Sequence, residues 1–270
     1  MESPQASPGC TVWRCPDGSF TKTILEPGIG LDKPKERAVC QIFLEQLPDP
    51  PSQFCTPSGP GYSAGSWIEV ELGEGDSAQD RLVDQCLETM LQGEVCQVDS
   101  QIGFHLILRL KSFDKGAEAW ELEPSEKIQR AIMDREKGGR AFRGGNIEGA
   151  ERRYTRGLRL LVCTPGEAEE EKVALLSNLA ACDLKKRRFR EAEVRCTRIL
   201  DLDPNHFKAL YRRGVARAGM SDWEGARADL DKLLKLDPGN KEAKRELVSV
   251  REKEKIAQAQ ISKALGKMFL

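Results

Sequence analysis

Residues 176–205 read LSNLAACDLKKRRFREAEVRCTRILDLDPN, and residues 210–240 read LYRRGVARAGMSDWEGARADLDKLLKLDPGN. Laid over each other at an offset of 34 residues, Leu176 falls on Leu210, Ala180 on Gly214, Ala192 on Ala226 and Pro204 on Pro238. Small residues at two fixed places let paired helices approach closely. The proline ends the second helix of each unit, because it lacks an N–H and clashes with the preceding turn. An earlier copy carries Gly138 and Ala150 at the same 12-residue spacing, with Tyr154 at a core position beyond them. It lies 42 residues before the next copy, which leaves about eight residues inserted around Cys163 to Lys172.

A helix-turn-helix period of 34 residues is the tetratricopeptide (TPR) signature. Three copies reach the minimum for a stable stack, and such stacks curve into a concave groove. Lys241 to Leu270 reads as a last helix that caps the final hydrophobic face, with Leu247, Val250, Ile261 and Leu265 as an intermittent apolar stripe. A basic amphipathic helix also suits a calmodulin-type partner, although Glu246, Glu252 and Glu254 dilute its charge.

Over 270 residues, 42 Lys and Arg meet 43 Asp and Glu, for a net charge of −1. The balance hides an asymmetry: residues 1–120 hold 9 basic and 18 acidic side chains, residues 121–270 hold 33 and 25. The second part therefore suits an acidic partner. Nucleic acid is a poor candidate, because no base-stacking aromatic cluster is present and the basic charge is interspersed with acid. No apolar run approaches the roughly 20 residues of a membrane helix, and the N-terminus lacks the pattern of a secretory signal. Nine cysteines never form Cys-x-x-Cys, and His105 and His206 are the only histidines, so neither a metal site nor another cofactor is expected. A cytoplasmic location, extending to the nucleus, with reduced thiols follows as the expectation.

The first part holds most of the Pro and Gly. Val39 to Leu44, Trp67 to Leu72 and Phe104 to Leu110 are strand-length apolar runs, and Pro48 to Ser66 reads as a loop or insertion. Asp84 to Gly93 is the one helical candidate, with Leu87, Met90 and Leu91 on a face and Gly93 as C-cap. Glu69, Glu71, Glu74 and Asp76 read as a solvated strand edge rather than as metal ligands. The fold class expected is α+β and multidomain: a small antiparallel β domain with one short helix, then an all-α solenoid of three repeats and a C-terminal capping helix. The boundaries are a flexible tail at 1–10, a β domain at 11–116, the repeats at 117–240 and the terminal helix at 241–270.

Asp17-Gly18, Lys22, Ile24, Gly28, Gly30 and Pro34 resemble the opening of an FKBP-type immunophilin domain. Leu72-Gly73-Glu74-Gly75, Cys86-Leu87-Glu88-Thr89-Met90 and Gly93-Glu94-Val95-Cys96 resemble that family's strand, helix and following strand. The family isomerises X-Pro bonds by holding the twisted imide in a dry aromatic pocket. Here the family's pocket-floor tryptophan falls at Val83, the preceding apolar pair at Gln79 and Asp80, and its Phe-Asp pair at Phe54-Cys55. The loop carrying Ala-Tyr-Gly is missing, since Val98 runs almost directly into Ile102 to Phe113. The resemblance therefore implies an FKBP fold without useful isomerase activity; an isomerase with an atypical pocket is the alternative.

In the repeats, Arg135, Asn178, Lys208 and Arg212 resemble the carboxylate clamp by which co-chaperone TPR domains hold the acidic C-terminal tail of Hsp90 or Hsp70, ending Glu-Glu-Val-Asp. Charge-assisted bonds from Arg and Lys and an amide donor from Asn suit a terminal carboxylate and an Asp side chain. Two departures stand out: Arg135 replaces the usual Lys, and Gly139 replaces an Asn or Thr, removing one donor. Arg187 and Arg213 read as solvated side chains. The junction, Leu110 to Lys115 followed by Trp120-Glu121-Leu122 and Ser125-Glu126-Lys127, resembles the link between FKBP and TPR domains in large immunophilins. The resemblance implies a non-catalytic adaptor that joins Hsp90 to clients such as steroid receptors or cell-cycle inhibitors. A TPR scaffold for another acidic peptide is the competing reading.

Overall fold

The computed structural model describes residues 11–47, 62–75, 77–101, 103–115, 120–162, 164, 166 and 168–268. Phe54, Cys55, Asp76, Cys163 and the 1–10 tail lie outside them, as do the side chains of Ile261 and Leu265. The chain divides into two compact units, Met1–Glu121 and Leu122–Leu270.

The first unit contains β1 (Val12–Arg14), β2 (Phe20–Glu26), β3 (Val39–Gln46), β4 (Trp67–Glu71), α1 (Ala78–Leu87), β5 (Val95–Ser100) and β6 (His105–Asp114). They form one antiparallel sheet in the order β1-β2-β5-β6-β3-β4. Cys40, Ile42 and Leu44 on β3 and Leu106, Leu108 and Leu110 on β6 alternate inward, as a half-buried sheet requires. Leu82, Val83, Cys86 and Leu87 of α1, with Met90, complete that core. β4 lies at the sheet edge, where Glu69 is exposed and Glu71 pairs with Arg37 at 3.8 Å. Glu69 and Glu71 thus form part of the expected acidic edge, whereas Glu74 lies beyond the strand.

Two expectations need correction. The helix begins earlier than Asp84, because Ser77 and Asp80 make a capping box: Asp80 N–H donates to Ser77 Oγ at 2.9 Å and Ser77 N–H to Asp80 Oδ2 at 3.1 Å. It also ends at Leu87, so Gly93 is not its C-cap. At φ +79° Gly93 turns the chain into β5, and its N–H donates to Leu110 O at 2.7 Å. Among the apolar runs, β1 and β2 gave no strand signal. In β2 the inward positions are Phe20 and Lys22, and Lys22 Nζ donates to Glu94 Oε1 at 2.8 Å and Thr89 O at 3.1 Å, with both charged side chains 3% exposed.

The second unit is helical: α2 (Pro124–Arg143), α3 (Ile147–Leu161), α4 (Glu169–Lys185), α5 (Phe189–Leu202), α6 (Phe207–Gly219), α7 (Trp223–Leu236) and α8 (Lys241–Met268). The helices pair as α2/α3, α4/α5 and α6/α7, and α8 packs on α7. Ala150, Ala180, Ala192 and Ala226, the small residues of the repeat, are fully buried. A Cβ at Gly138 would lie 2.6 Å from the Tyr154 ring, so only glycine lets α3 cross α2 at that distance. Each hairpin is also tied by a buried aspartate: Asp134 with Arg156 at 3.0 Å, Asp183 with Arg195 at 2.7 Å and Asp229 with Arg213 at 2.7 Å. Arg213 is therefore not a solvated side chain. A half-buried arginine is required to neutralise Asp229 inside the hairpin.

The terminal helix caps the array with its first turns. Ala243, Leu247 and Val250 are buried against Leu230 and Leu233. From Arg251 to Gln260 most side chains are exposed.

Candidate functional site

The first helices of the three repeats bring three of the four expected clamp residues together. Arg135 of α2, Asn178 of α4 and Arg212 of α6 line one pocket of about 490 Å³. Glu136, Gly139, Arg140, Phe142 and Arg143 of α2, Tyr154 of α3 and Ala181 of α4 complete its wall. Lys208 is not part of that wall; it is exposed, one turn before Arg212 on α6.

The cations differ in their surroundings. Arg212 donates to the carbonyl and the hydroxyl of buried Ser177, which aims the guanidinium across α4. Burial pulls its pKa below the ordinary arginine value, and among the described residues it has no carboxylate partner. Arg135, in contrast, donates through Nε to Glu171 Oε1 at 2.6 Å, so its charge is already met from the first turn of α4. Arg140 and Arg143 are exposed and have no ion-pair partner among the described residues. Tyr154 is 2% exposed, and burial pushes its phenol up to about 12 while Arg143, Arg135 and Arg212 oppose the shift. It stays neutral at physiological pH and can donate a hydrogen bond.

Arg140 and Arg143 were missed by the sequence reading. For Arg143 the signal was present in the spacing, since Arg135, Gly139 and Arg143 follow one another at four-residue steps and so share a helix face.

In the first unit, Val83 and Asp80, two of the residues at the family's isomerase positions, are used internally, as is neighbouring Asp84. Val83 is 1% exposed within the core. Asp80 is buried in the capping box and accepts from Tyr62 N–H at 3.3 Å. Asp84, also buried, accepts from Tyr62 O–H at 3.0 Å and from Gly73 N–H at 3.1 Å. Residues 101–104 alone connect β5 to β6. Burial pushes the Cys40 thiol up to about 12, with the Asp84 charge adding to it, so this thiol is protonated and inert.

No family model matches the chain. It is 41% identical over 273 residues to FK506-binding protein-like from Homo sapiens, across 99% of this chain and 75% of that protein. To peptidyl-prolyl cis-trans isomerase FKBP4 from Homo sapiens it is 28% identical over 284 residues, across 94% of this chain and 59% of that one. Among solved structures, residues 1–211 of CG17282 superimpose with a TM-score of 0.52 at 20% identity, over 67% of this chain and 96% of the other. That likeness speaks for the fold alone.

Proposed function

The chain belongs to the FK506-binding protein-like family of TPR-containing immunophilins, and from that premise we propose that it is a non-catalytic co-chaperone adaptor whose TPR groove holds the acidic C-terminal tail of Hsp90. The observation that carries this reading is the convergence of Asn178 and Arg212 with Arg135 on one pocket, Arg212 facing it without an acidic partner among the described residues. Hydrogen bonds from a charged donor contribute about 1.5–3 kcal/mol each, enough for a short tail to be held by two or three. Lys208, on the rim, meets acidic side chains upstream of the terminus. Clients of the steroid-receptor or cell-cycle-inhibitor type would be handled by the remaining surface, in the cytoplasm and nucleus.

The absence of catalysis rests on shape. Isomerisation requires an enclosed apolar site that weakens a barrier of roughly 18–20 kcal/mol. Where such a site would stand, this chain has two buried carboxylates bonded to Tyr62, and a four-residue link between β5 and β6 where an enclosing loop would be needed.

Calorimetry with the peptide Met-Glu-Glu-Val-Asp tests the adaptor role. Binding is expected, and Lys208→Glu with Arg212→Glu should abolish it at unchanged helicity. A double variant that binds as well as the parent ends the clamp assignment. A proline-peptide assay should show no acceleration; turnover inhibited by an FKBP ligand would make the first unit an enzyme.

A further inference from the structure

We infer that the ligand-binding cation of α2 is Arg143, lying over Gly139, and not Arg135. This rests on the acidic-tail reading above and deepens it. Arg135 is held by Glu171 at 2.6 Å, so a ligand carboxylate would have to displace an existing one to reach it. Gly139, on the same face, contributes no side chain. A Cβ built there would lie 3.6 Å from Arg143 Nη1 and 3.9 Å from Tyr154 Oη, which is ordinary van der Waals spacing. Glycine is therefore not demanded by crowding, and its bareness leaves the helix surface open for the Arg143 guanidinium. The space where a residue at 139 would offer a donor is occupied by a charged one from the next turn.

The charge count agrees. With Arg135 and Glu171 cancelling, the pocket keeps Arg140, Arg143 and Arg212 against Glu136. An excess of two positive charges matches the two negative charges of a C-terminal aspartate, its α-carboxylate and its side chain. Asn178 of α4 and the neutral Tyr154 hydroxyl, beside Gly139, supply uncharged donors to the same pocket. Arg143 is exposed before binding, so it reaches the ligand without breaking an ion pair among the described residues.

The test is equilibrium binding of Met-Glu-Glu-Val-Asp, and of the same peptide with a C-terminal amide, to the full chain and its variants. Arg143→Ala should weaken the free-acid peptide about tenfold or more, the loss of one charge-assisted bond. Arg135→Ala should change it by less than about threefold, as for a surface pair. The penalty for amidation should shrink in Arg143→Ala, since the two changes remove ends of one interaction. Arg143→Lys should recover part of the affinity, and Gly139→Asn placed in Arg143→Ala should recover part as well. The inference is overturned if Arg135→Ala costs more than Arg143→Ala, if the amidation penalty is unchanged in Arg143→Ala, or if neither rescue occurs in variants of parental helicity. Failure of the adaptor reading looks different: the parent itself would not bind, or Arg212→Ala would bind as the parent does, and the inference would fall with it.

Discussion

Glu171 holds Arg135 in an ion pair at 2.6 Å, which makes it the residue whose loss should improve function. Glu171→Gln is expected to tighten Met-Glu-Glu-Val-Asp binding several-fold, of the order of one exposed ion pair, read by calorimetry against the parent. In the first unit, Glu94 is the counter-ion of a lysine that is 3% exposed. Glu94→Gln leaves the Lys22 ammonium buried without its carboxylate, and should cost about 3–5 kcal/mol of unfolding free energy in a denaturant titration. Gly138→Ala drives a methyl toward the Tyr154 ring and should cost about 1–3 kcal/mol, with a lowered Tm. These residues differ in how legible they were. Gly138 follows from the repeat register, and Asn178 and Arg212 from the resemblance to the carboxylate clamp. The burial of Lys22 had no signal in the sequence, because its partner lies 72 positions away and only the sheet order brings the two together. The spacing places Arg143 on the face of Arg135 and Gly139, but that Glu171 already holds Arg135 was not legible in it.

The helices were read well wherever periodicity and capping agreed, and badly where a local bond set the limits. The three hairpins follow from small residues at a fixed period, whereas α1 starts where Ser77 and Asp80 exchange hydrogen bonds, a pair the apolar pattern does not register. For α8 the apolar stripe was visible, but not that Ile256 would stand exposed while Leu247 and Val250 are buried. Leu247→Ala should therefore cost about 2–5 kcal/mol, while Ile256→Ala, at a position 58% exposed, should stay within about 0.5 kcal/mol. Between the first two repeats, Glu151 accepts from Lys186 at 2.9 Å and from Arg188. Burial alone would raise its pKa, but those hydrogen bonds outweigh it and hold the carboxyl below its ordinary 4.5. A carboxyl depressed in the folded state adds stability above its unfolded pKa and loses it as pH falls through the folded one. Glu151→Gln should thus be less stable than the parent at pH 7, by roughly 0.5–1 kcal/mol, with the thermal-unfolding difference closing as pH falls below 4.5.

For the whole molecule, the near-zero net charge conceals an acidic first part and a basic second part. The groove lies in the basic part, and its free arginines are largely exposed. Their attraction for an anionic tail should weaken as salt shortens the screening length from about 30 Å at 0.01 M to about 8 Å at 0.15 M. An affinity that does not change across that range would mean an apolar contact dominates. The two-part organisation was readable because composition and period both shift near residue 120; the groove's content was not, since it depends on which cations the chain's own acids already hold. One consequence lies at the far end of the array. After Glu254, which bonds Arg227 at 3.2 Å, the terminal helix runs on to Met268 as a spar of roughly 20 Å. A dye or affinity handle joined at exposed Gln260 would give a reporter on the array that leaves the arginine hollow untouched.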